Sequence, residues 1–331
     1  MEKYVEMISP FTGGKVEEIR TVEEQVFRKE TYSVHVRYYV CVDTGERFTT
    51  TDQDELMFNE LYSQYRIRHG IPFPSEIKEI RERYGLNYSQ MSKILGFGIN
   101  QYAQYENGQM PSESNGKMIL AAQKKEVMLQ FLEATKAEYE PAEYERIKQA
   151  ICQAPECSKS ADSLSLFYGE LKRSIYNGFG LFNTNKLAQM VKFFIHHEGA
   201  VYPTKLNKEM FYADFFHYKQ YGISISGLNY QAIKYGPVPV HYDTIYDHIG
   251  GVEKEIVFSH DMPSTRLSCS GYDAGVFNEK EMDTLTTVLN RIKPMKTAEI
   301  VELSHREHSW LNYEAGNHLI PYSEAFDLLL F

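Results

Sequence analysis

One stretch constrains the fold more than any other part of this 331-residue chain, and it reads LNYSQMSKILGFGINQYAQYENGQMP over residues 86–111. Its apolar residues recur at helical spacing on both sides of a break at Gly96 and Gly98. The apolar positions are Leu86, Met91, Ile94, Leu95, Tyr102 and Tyr105. The pattern predicts a helix over 88–95, a tight glycine turn and a second helix over 99–105.

The second predicted helix carries amide side chains on its exposed face, namely those of Asn100, Gln101 and Gln104. A helix pair joined by a tight turn can place its second helix in the major groove of DNA. An amide suits adenine, because it accepts from N6 and donates to N7 at the same time. The alternative is a solvated helix face, since two helices around a glycine turn also occur in many domains that never contact DNA.

The same stretch resembles the repressor-type (Cro/C1-like) helix-turn-helix family. The matching residues are Leu86, Met91, Leu95-Gly96, Tyr102, Tyr105-Glu106-Asn107-Gly108 and Pro111. Two positions depart from the family pattern: Ser92 replaces the usual Ala, and Gly98 replaces the usual Ser or Thr that begins the second helix. The second departure weakens the expected N-terminal cap of that helix.

The resemblance implies which residues contact DNA. Asn100 and Gln104 are expected to face bases, with Ile99 and Gln101 beside them. Tyr88 and the backbone around Asn107 and Gly108 are expected to meet phosphates, which position a protein without specifying sequence. One such domain reads few base pairs, so we expect a homodimer that binds a palindromic operator in double-stranded DNA, with half-sites about 34 Å apart.

The distribution of charge favours DNA binding only locally. The formal net charge of the chain is −10, and residues 1–60 hold 7 Lys/Arg against 13 Asp/Glu. Residues 61–125 instead hold 9 Lys/Arg against 5 acids. A local positive surface attracts phosphates whatever the total charge, although an excess of this size is also ordinary scatter.

Residues 1–50 alternate in short runs that predict a small β-ribbon. The segment over 31–41 places Tyr32, Val34, Val36 and Tyr38 on one face, as in a half-buried strand. We expect these residues and Phe48 to hold the ribbon together. Glycine turns at 12–14 and 43–45 bracket the strands.

Two short segments in this ribbon, SPFTGG and CVDTGE, look like the halves of a zinc ribbon of form CPxCGG and CxxCGE. The order of ribbon, helix and helix-turn-helix resembles the MqsA-like antitoxins. Ser9, Thr12 and Thr44 stand where cysteines would, and Cys41 alone remains. A structural zinc needs four ligands, so we expect no metal here; the alternative is an unrelated β-hairpin.

The spacing of apolar residues and the positions of prolines and capping residues predict further elements. Helices are predicted over 52–69, from an N-cap at Ser75 to about 84, over 113–136 from Ser112 or Ser114, and over 144–152. The polar, turn-rich run 153–163 indicates a linker. In the last half we expect helices over 186–197, 206–218, 240–249, 279–292 and 297–304, a rigid turn over 235–239 and a short strand over 256–258.

From about residue 180 to 331 the chain resembles the Panacea, or SocA-like, antitoxin domain. The matching residues are Asn185-Lys186-Leu187, Lys205-Leu206-Asn207-Lys208, Phe211-Tyr212-Ala213-Asp214-Phe215, Ser224-Ile225-Ser226-Gly227, Tyr235-Gly236-Pro237-Val238-Pro239, Ser304-His305 and Trp310. The resemblance implies a mostly helical domain that binds and neutralises a protein toxin of variable type. Most of the chain's 25 Tyr and 19 Phe are expected in cores, and a few exposed ones could anchor a partner.

No pattern in the sequence points to catalysis or a cofactor. His196-His197 and His305/His308 lack a carboxylate or Cys at a known ligand spacing, so we expect packing or surface roles and no metal. The four cysteines suit a reducing compartment. A start without signal-peptide character and the absence of a long apolar run favour a cytoplasmic protein that does not enter membranes.

Together these patterns predict a multidomain, mainly α protein. We expect a zinc-less ribbon domain (1–60), a five-helix repressor-type helix-turn-helix domain (61–137), a linker (138–164) and a mostly helical, toxin-neutralising Panacea domain with minor β structure (165–331). The expected function is that of an antitoxin, not an enzyme, that represses its own operon. The alternatives are a regulator whose C-terminal domain senses a ligand or a protein, and a proteolytic adaptor.

Overall fold

The computed structural model describes residues 7–155, 168, 171–259 and 262–331. The described part of the chain is mainly helical, with small antiparallel sheets. The chain divides into two compact units. Unit 1 comprises Met1–Ile19, Arg37–Leu56 and Ala161–Phe331, and unit 2 comprises Arg20–Val36 and Met57–Ser160.

The N-terminal strands form a three-stranded sheet in the order β1-β2-β3. The strands are β1 (Val16–Phe27), β2 (Glu30–Cys41) and β3 (Arg47–Phe48). Arg28 and Lys29, which join β1 to β2, both have positive φ, at 49° and 71°, as a two-residue turn of the primed type requires. The predicted strand over 31–41 is confirmed, and Tyr32, Val34 and Val36 are its buried face.

Helices make up the rest of the N-terminal half. They are α1 (Thr51–His69), α2 (Pro74–Arg83), α3 (Tyr88–Ile94), α4 (Gln101–Glu106), α5 (Glu113–Ala121), α6 (Lys125–Ala134) and α7 (Pro141–Gln153). One core joins α2 to α7 and contains Ile77, Met91, Tyr102, Met128 and Ile147 among others. Helix α7 therefore packs with the helices before it, although it lies inside the stretch 138–164 that was assigned to a linker.

The predicted N-cap of α2 at Ser75 is wrong. Pro74 occupies the first helical position, where a missing N–H costs nothing and φ is already set for a helix. The Phe73 amide donates to Glu76 Oε2 at 2.7 Å, so the Glu76 side chain closes the helix start. At α5, by contrast, Ser112 is the N-cap, as predicted.

The single helix predicted over 113–136 is also wrong, because the structure has two helices there, α5 and α6. Side chains from elsewhere satisfy the carbonyls at the end of α5. Tyr84 Oη donates to the Ala122 carbonyl at 2.8 Å, and Arg83 donates to the Gln123 carbonyl at 2.6 Å. A helix whose last carbonyls are satisfied by other side chains can end without a glycine.

The C-terminal part of unit 1 is built around a central buried helix. Its elements are α8 (Thr184–Glu198), α9 (Pro203–Tyr221), β4 (Tyr230–Ile233), β5 (Gly236–Pro239), β6 (Val252–Ser259), β7 (Met262–Cys269), α10 (Glu279–Ile292), α11 (Thr297–Ser304), α12 (His308–Leu311) and β8 (Leu319–Ile320). Thirteen residues of α9 are buried, so it is the core of the unit. The strands form a sheet β5-β4-β8 and a separate pair β6-β7.

Three expectations for this region need correction. The helix predicted over 240–249 is turn structure with a short 3-10 helix, Ile245–His248. The turn predicted over 235–239 is largely strand β5, in which Pro237 and Pro239 pair with Ala232 and Tyr230 of β4. Prolines are tolerated there because β5 is an edge strand. The short strand predicted over 256–258 extends to eight residues, and its partner β7 was not predicted.

The helices predicted over 279–292 and 297–304 are confirmed at both ends. Within the described ranges, no helix combines the length and apolar character needed to cross a bilayer. Most of the predicted linker 153–163 lies outside the described residues.

Candidate functional site

Two side chains fix the packing of α3 and α4. Ser92, on α3, is buried, and its Oγ accepts from the Tyr102 amide at 3.2 Å. Tyr102 Oη then donates to the Ile77 carbonyl of α2 at 2.8 Å. The departure at Ser92 thus adds a hydrogen bond between the two helices, and the Tyr102 ring anchors α4 to the core. Helix α4 cannot rotate about its axis without breaking the hydrogen bonds that the Tyr102 amide and hydroxyl make.

The side chains predicted to read bases remain at the surface. Ile99 is 79% exposed, and Asn100 and Gln104 are exposed as well. Gln101 is half-buried, and its Oε1 accepts from the Gly98 amide at 3.3 Å, while the N-cap of α4, Asn100, makes no side-chain cap hydrogen bond. The second helix begins at Gln101 rather than at residue 99, so Ile99 and Asn100 lie in the turn before it.

Tyr88 lies at the first position of α3 and is 46% exposed. The Arg81 guanidinium lies 4.5 Å from the centre of its ring. Arg81 also forms a two-point ion pair with Glu106 at the end of α4, at 2.6 and 3.1 Å. Arg81 thereby neutralises the Glu106 carboxylate while it contacts the Tyr88 ring.

The loop after α4 is held from outside the helix pair. The Arg66 guanidinium of α1 is buried and donates to the Pro72 carbonyl at 2.5 Å and to the Gly108 carbonyl at 3.1 Å. Arg28, in the β1-β2 turn, donates to the Pro111 carbonyl at 3.2 Å. Asn107 is exposed on the same loop. Sequence reasoning missed both arginines, because nothing in their local sequence distinguishes them from surface cations.

Most of the positive charge counted over 61–125 serves the fold. Six of the nine basic side chains bind a carbonyl or a carboxylate: Arg66, Arg68, Arg81, Arg83, Lys93 and Lys125. The remaining three are Lys78, Lys117 and Lys124, of which Lys78 and Lys117 form long ion pairs with neighbouring glutamates at 3.8 and 4.0 Å. Fewer side chains are therefore available to bind phosphates than the nine basic residues over 61–125 imply.

In the C-terminal part of unit 1, a buried carboxylate organises a loop. Asp214 of α9 accepts from the amides of Ile225 and Ser226 at 2.9 and 2.8 Å. It also accepts from Tyr230 Oη at 2.7 Å and from Ser226 Oγ. Burial raises the pKa of Asp214, while these donors oppose the rise. The two sequence segments 211–215 and 224–227 are thus one hydrogen-bonded cluster.

A second buried polar contact joins α9 to strand β5. Lys208 is fully buried, and its Nζ donates to the Pro237 carbonyl at 2.8 Å. Burial lowers the pKa of Lys208 to about 7. A Cβ on Gly236, where φ is 95°, would lie 2.6 Å from Lys208 Nζ and 2.7 Å from Ser304 Oγ. Only glycine fits between these groups.

The same interior holds other charged and aromatic groups. Burial, and then the nearby Glu198 carboxylate, raises the pKa of Glu209 well above its ordinary value. Trp310 Nε1 donates to the Ile233 carbonyl at 2.7 Å, and its ring stacks on His305 at 4.3 Å. Several of the aromatic residues counted in this region are buried, as expected: Phe193, Phe194, Phe211, Tyr212, Phe215 and Tyr218.

The four positions that resemble a zinc ribbon converge in the structure. Cys41 is fully buried, and its Sγ lies 3.6 Å from Thr12 Oγ1. Hydrogen bonds from Ser9, then Thr44, lower the pKa of the Cys41 thiol to about 6. Across the described ranges, no group of three or more His, Cys, Asp or Glu side chains is arranged to hold a metal ion. Hydroxyl groups therefore surround the one thiol at this point.

A comparison with known protein families agrees with the geometry of the segment from α2 to α5. Residues 77–122 match a family model for helix-turn-helix domains. Residues 206–311, from α9 to α12, match the family described as antitoxin SocA-like, Panacea domain. Comparison with curated proteins and with solved structures gives no match. The chain thus contains one segment that matches helix-turn-helix domains and another that matches antitoxin SocA-like Panacea domains.

Proposed function

We propose that this chain is the antitoxin of a type II toxin-antitoxin system. It neutralises a cognate protein toxin by stoichiometric binding through the Panacea domain, over 165–331. As a homodimer it represses its own operon through the helix-turn-helix domain, over 61–137. The presence of both matched domains on one chain supports this proposal more than any other observation.

The reading surface follows from the exposed side chains around α4. Asn100 and Gln104 hydrogen-bond to base edges, and Ile99 and Gln101 lie beside them. Each good base contact contributes about 1–3 kcal/mol of discrimination. Tyr88 and the backbone at Asn107 and Gly108 meet phosphates. The anchoring of α4 by Tyr102 supports these roles, because a fixed helix loses little entropy when it enters a groove.

The two activities are linked if toxin binding alters the geometry of the dimer. A toxin that changes operator affinity by some factor must have its own affinity changed by operator DNA by the same factor. In this proposal the N-terminal ribbon (1–60) precedes both domains in the sequence, and the segment 138–164 lies between them. A regulator that senses a ligand, and an adaptor that delivers a client to a protease, remain the competing functions.

A co-expression experiment tests the proposal. The product of the adjacent open reading frame should stop growth alone and be harmless with the full chain, and the full chain should shift a DNA fragment from upstream of its own gene. The double variant Asn100→Ala/Gln104→Ala should lose the DNA shift and keep the rescue. Gln130→Ala, an exposed amide on α6, is the matched control and should keep both.

Three results would contradict parts of this proposal. Loss of rescue in the double variant would show that the two activities are not separable. A monomeric mass both free and on operator DNA would exclude the homodimer. A small ligand that changes DNA affinity, together with an adjacent gene that is never toxic, would favour the sensor instead.

A further inference from the structure

The residues that carry the family resemblance in the C-terminal domain are mostly interior. Lys208, Asp214, Ser226 and Gly236 form the hydrogen-bonded contacts described above, and the first three are fully buried. Side chains with no exposed surface cannot contact another protein. A surface that holds a partner must therefore be formed by other residues of this domain.

The hairpin formed by β6 and β7 offers such a surface. The two strands pair over eight residues each, from Val252↔Cys269 to Ser259↔Met262. On the far side of β7, Leu267 is fully buried and exchanges two backbone hydrogen bonds with Val201, at 2.9 and 3.0 Å. This bridge fixes β7 to the domain. In the described part of the chain, β6 pairs with β7 alone, so its outer edge has no strand partner.

The two faces of β6 differ in chemistry. Lys254, Ile256 and Phe258 alternate onto one face, where Ile256 is 66% exposed and Phe258 is 75% exposed. Glu253 and Glu255 alternate onto the other face, and both are exposed. A strand added at this edge would meet two apolar side chains on one side and two carboxylates on the other.

Natural edge strands usually carry features that prevent such pairing, and β6 carries few of them. Lysine, proline and bulges are the common features. The strand has no proline and no bulge in its eight-residue register. Its one lysine, Lys254, forms an ion pair with Asp247. In the ranges that the structure describes, neither a second paired strand nor a proline or bulge thus occupies this edge.

We propose that the outer edge of β6 binds an extended segment of the cognate toxin as an added β-strand. The segment alternates apolar residues, which contact Ile256 and Phe258, with Lys or Arg, which face Glu253 and Glu255. Main-chain hydrogen bonds supply affinity and the alternating side chains supply specificity in this mode of recognition, and opposite charges across strands stabilise the pair. The inference depends on the proposed antitoxin function, because that function supplies the partner.

The test uses the full chain and the purified product of the adjacent gene. Ile256→Lys/Phe258→Lys should weaken toxin binding at least 100-fold and abolish rescue of growth. The matched control is Val26→Lys, which replaces a side chain of β1 that is 72% exposed, and should change affinity less than threefold. Glu253→Lys/Glu255→Lys should weaken binding at least tenfold, and Glu302→Lys, an exposed position on α11, should not.

Hydrogen exchange gives a readout that does not depend on any variant. Toxin addition should slow exchange of amides in 252–259 of the wild-type chain, because the added strand satisfies them. Unchanged exchange there, or wild-type affinity in the Ile256→Lys/Phe258→Lys variant, would overturn the inference. A wild-type dimer that this variant converts to a monomer would overturn it too, since a second copy would then occupy the edge. If the wild-type chain does not bind the adjacent gene product at all, the antitoxin function itself fails.

Discussion

Replacing Asp214 tests whether one buried carboxylate holds the Panacea domain together. In Asp214→Ala the amides of Ile225 and Ser226 lose their acceptor inside the core, and so do the hydroxyls of Ser226 and Tyr230. Each buried donor left without a partner costs about 1–3 kcal/mol. The two hydroxyls can rotate to other acceptors, whereas the two amides cannot. We therefore expect a loss of about 4 kcal/mol in the free energy of unfolding.

The isosteric variant separates hydrogen bonding from charge. In Asp214→Asn, Oδ1 still accepts from both amides, and Nδ2 can donate to the two hydroxyl oxygens. Only the charge-assisted part of the bonds is lost, so the expected cost is about 1–2 kcal/mol. Asp283→Ala, an exposed carboxylate on α10, is the control and should change stability by less than about 0.5 kcal/mol.

Urea unfolding followed by tryptophan fluorescence measures these values. Trp310 is the only tryptophan in the chain, and it lies in the Panacea domain, so the signal reports this domain. Linear extrapolation at constant m gives the difference in stability. A loss below about 1 kcal/mol for Asp214→Ala, or a larger loss for Asp214→Asn than for Asp214→Ala, would refute the reasoning.

Three further predictions follow from the structure. Because burial lowers the pKa of Lys208 to about 7, the unfolded chain binds more protons above that pH. Stability should therefore rise from about pH 7 to about pH 10, and Lys208→Met should flatten this rise in urea titrations. Because hydrogen bonds lower the pKa of Cys41 to about 6, a thiolate absorbance step near that pH should be present in the wild-type chain. The step should vanish in Cys41→Ser and persist in Cys152→Ser. Lys78, Lys117 and Lys124 are the basic residues over 61–125 that are not held by a short bond, since the ion pairs of Lys78 and Lys117 are long. The proposed dimer should therefore contact about six phosphates with them, and the slope of log K against log salt should be no steeper than about −5; a steeper slope would mean that engaged arginines are released on DNA.

The sequence predicted those helices and turns that are determined by residues within or next to them. The helix over 279–292 was predicted with the ends that α10 has, and the structure shows a local cause, since Asn278 and Glu281 form a reciprocal cap at its start. The pair α3 and α4 was recognised from apolar residues at helical spacing on both sides of Gly96 and Gly98, although α4 starts at Gln101 rather than at residue 99. Asn87 and Gln90 form a second reciprocal cap there, and glycines mark the turn that follows.

Elements that depend on distant residues were missed. The end of α5 is set by Arg83 and Tyr84, which lie 40 and 38 residues before the carbonyls they bind. The spacing of apolar residues does not reveal such a distant cause, so a single helix was predicted over 113–136. Strand β7 has a mixed polar pattern with Pro263 near its start, and only its pairing with β6 makes it a strand. The resemblance named Asp214 and Ser226 as family residues, but their bond across the fold could not be read from a linear sequence.

The anchoring of the loop after α4 has a consequence for moving the matched segment 77–122 into another protein. Arg28 and Arg66 both lie upstream of the matched segment 77–122, yet they bind the carbonyls of Pro111 and Gly108 inside it. A graft cut at residues 77 and 122 would carry α4 without Arg28 and Arg66, which hold the loop after it. Chimaeras that transfer this helix pair to another protein should therefore place their junction upstream of Arg28.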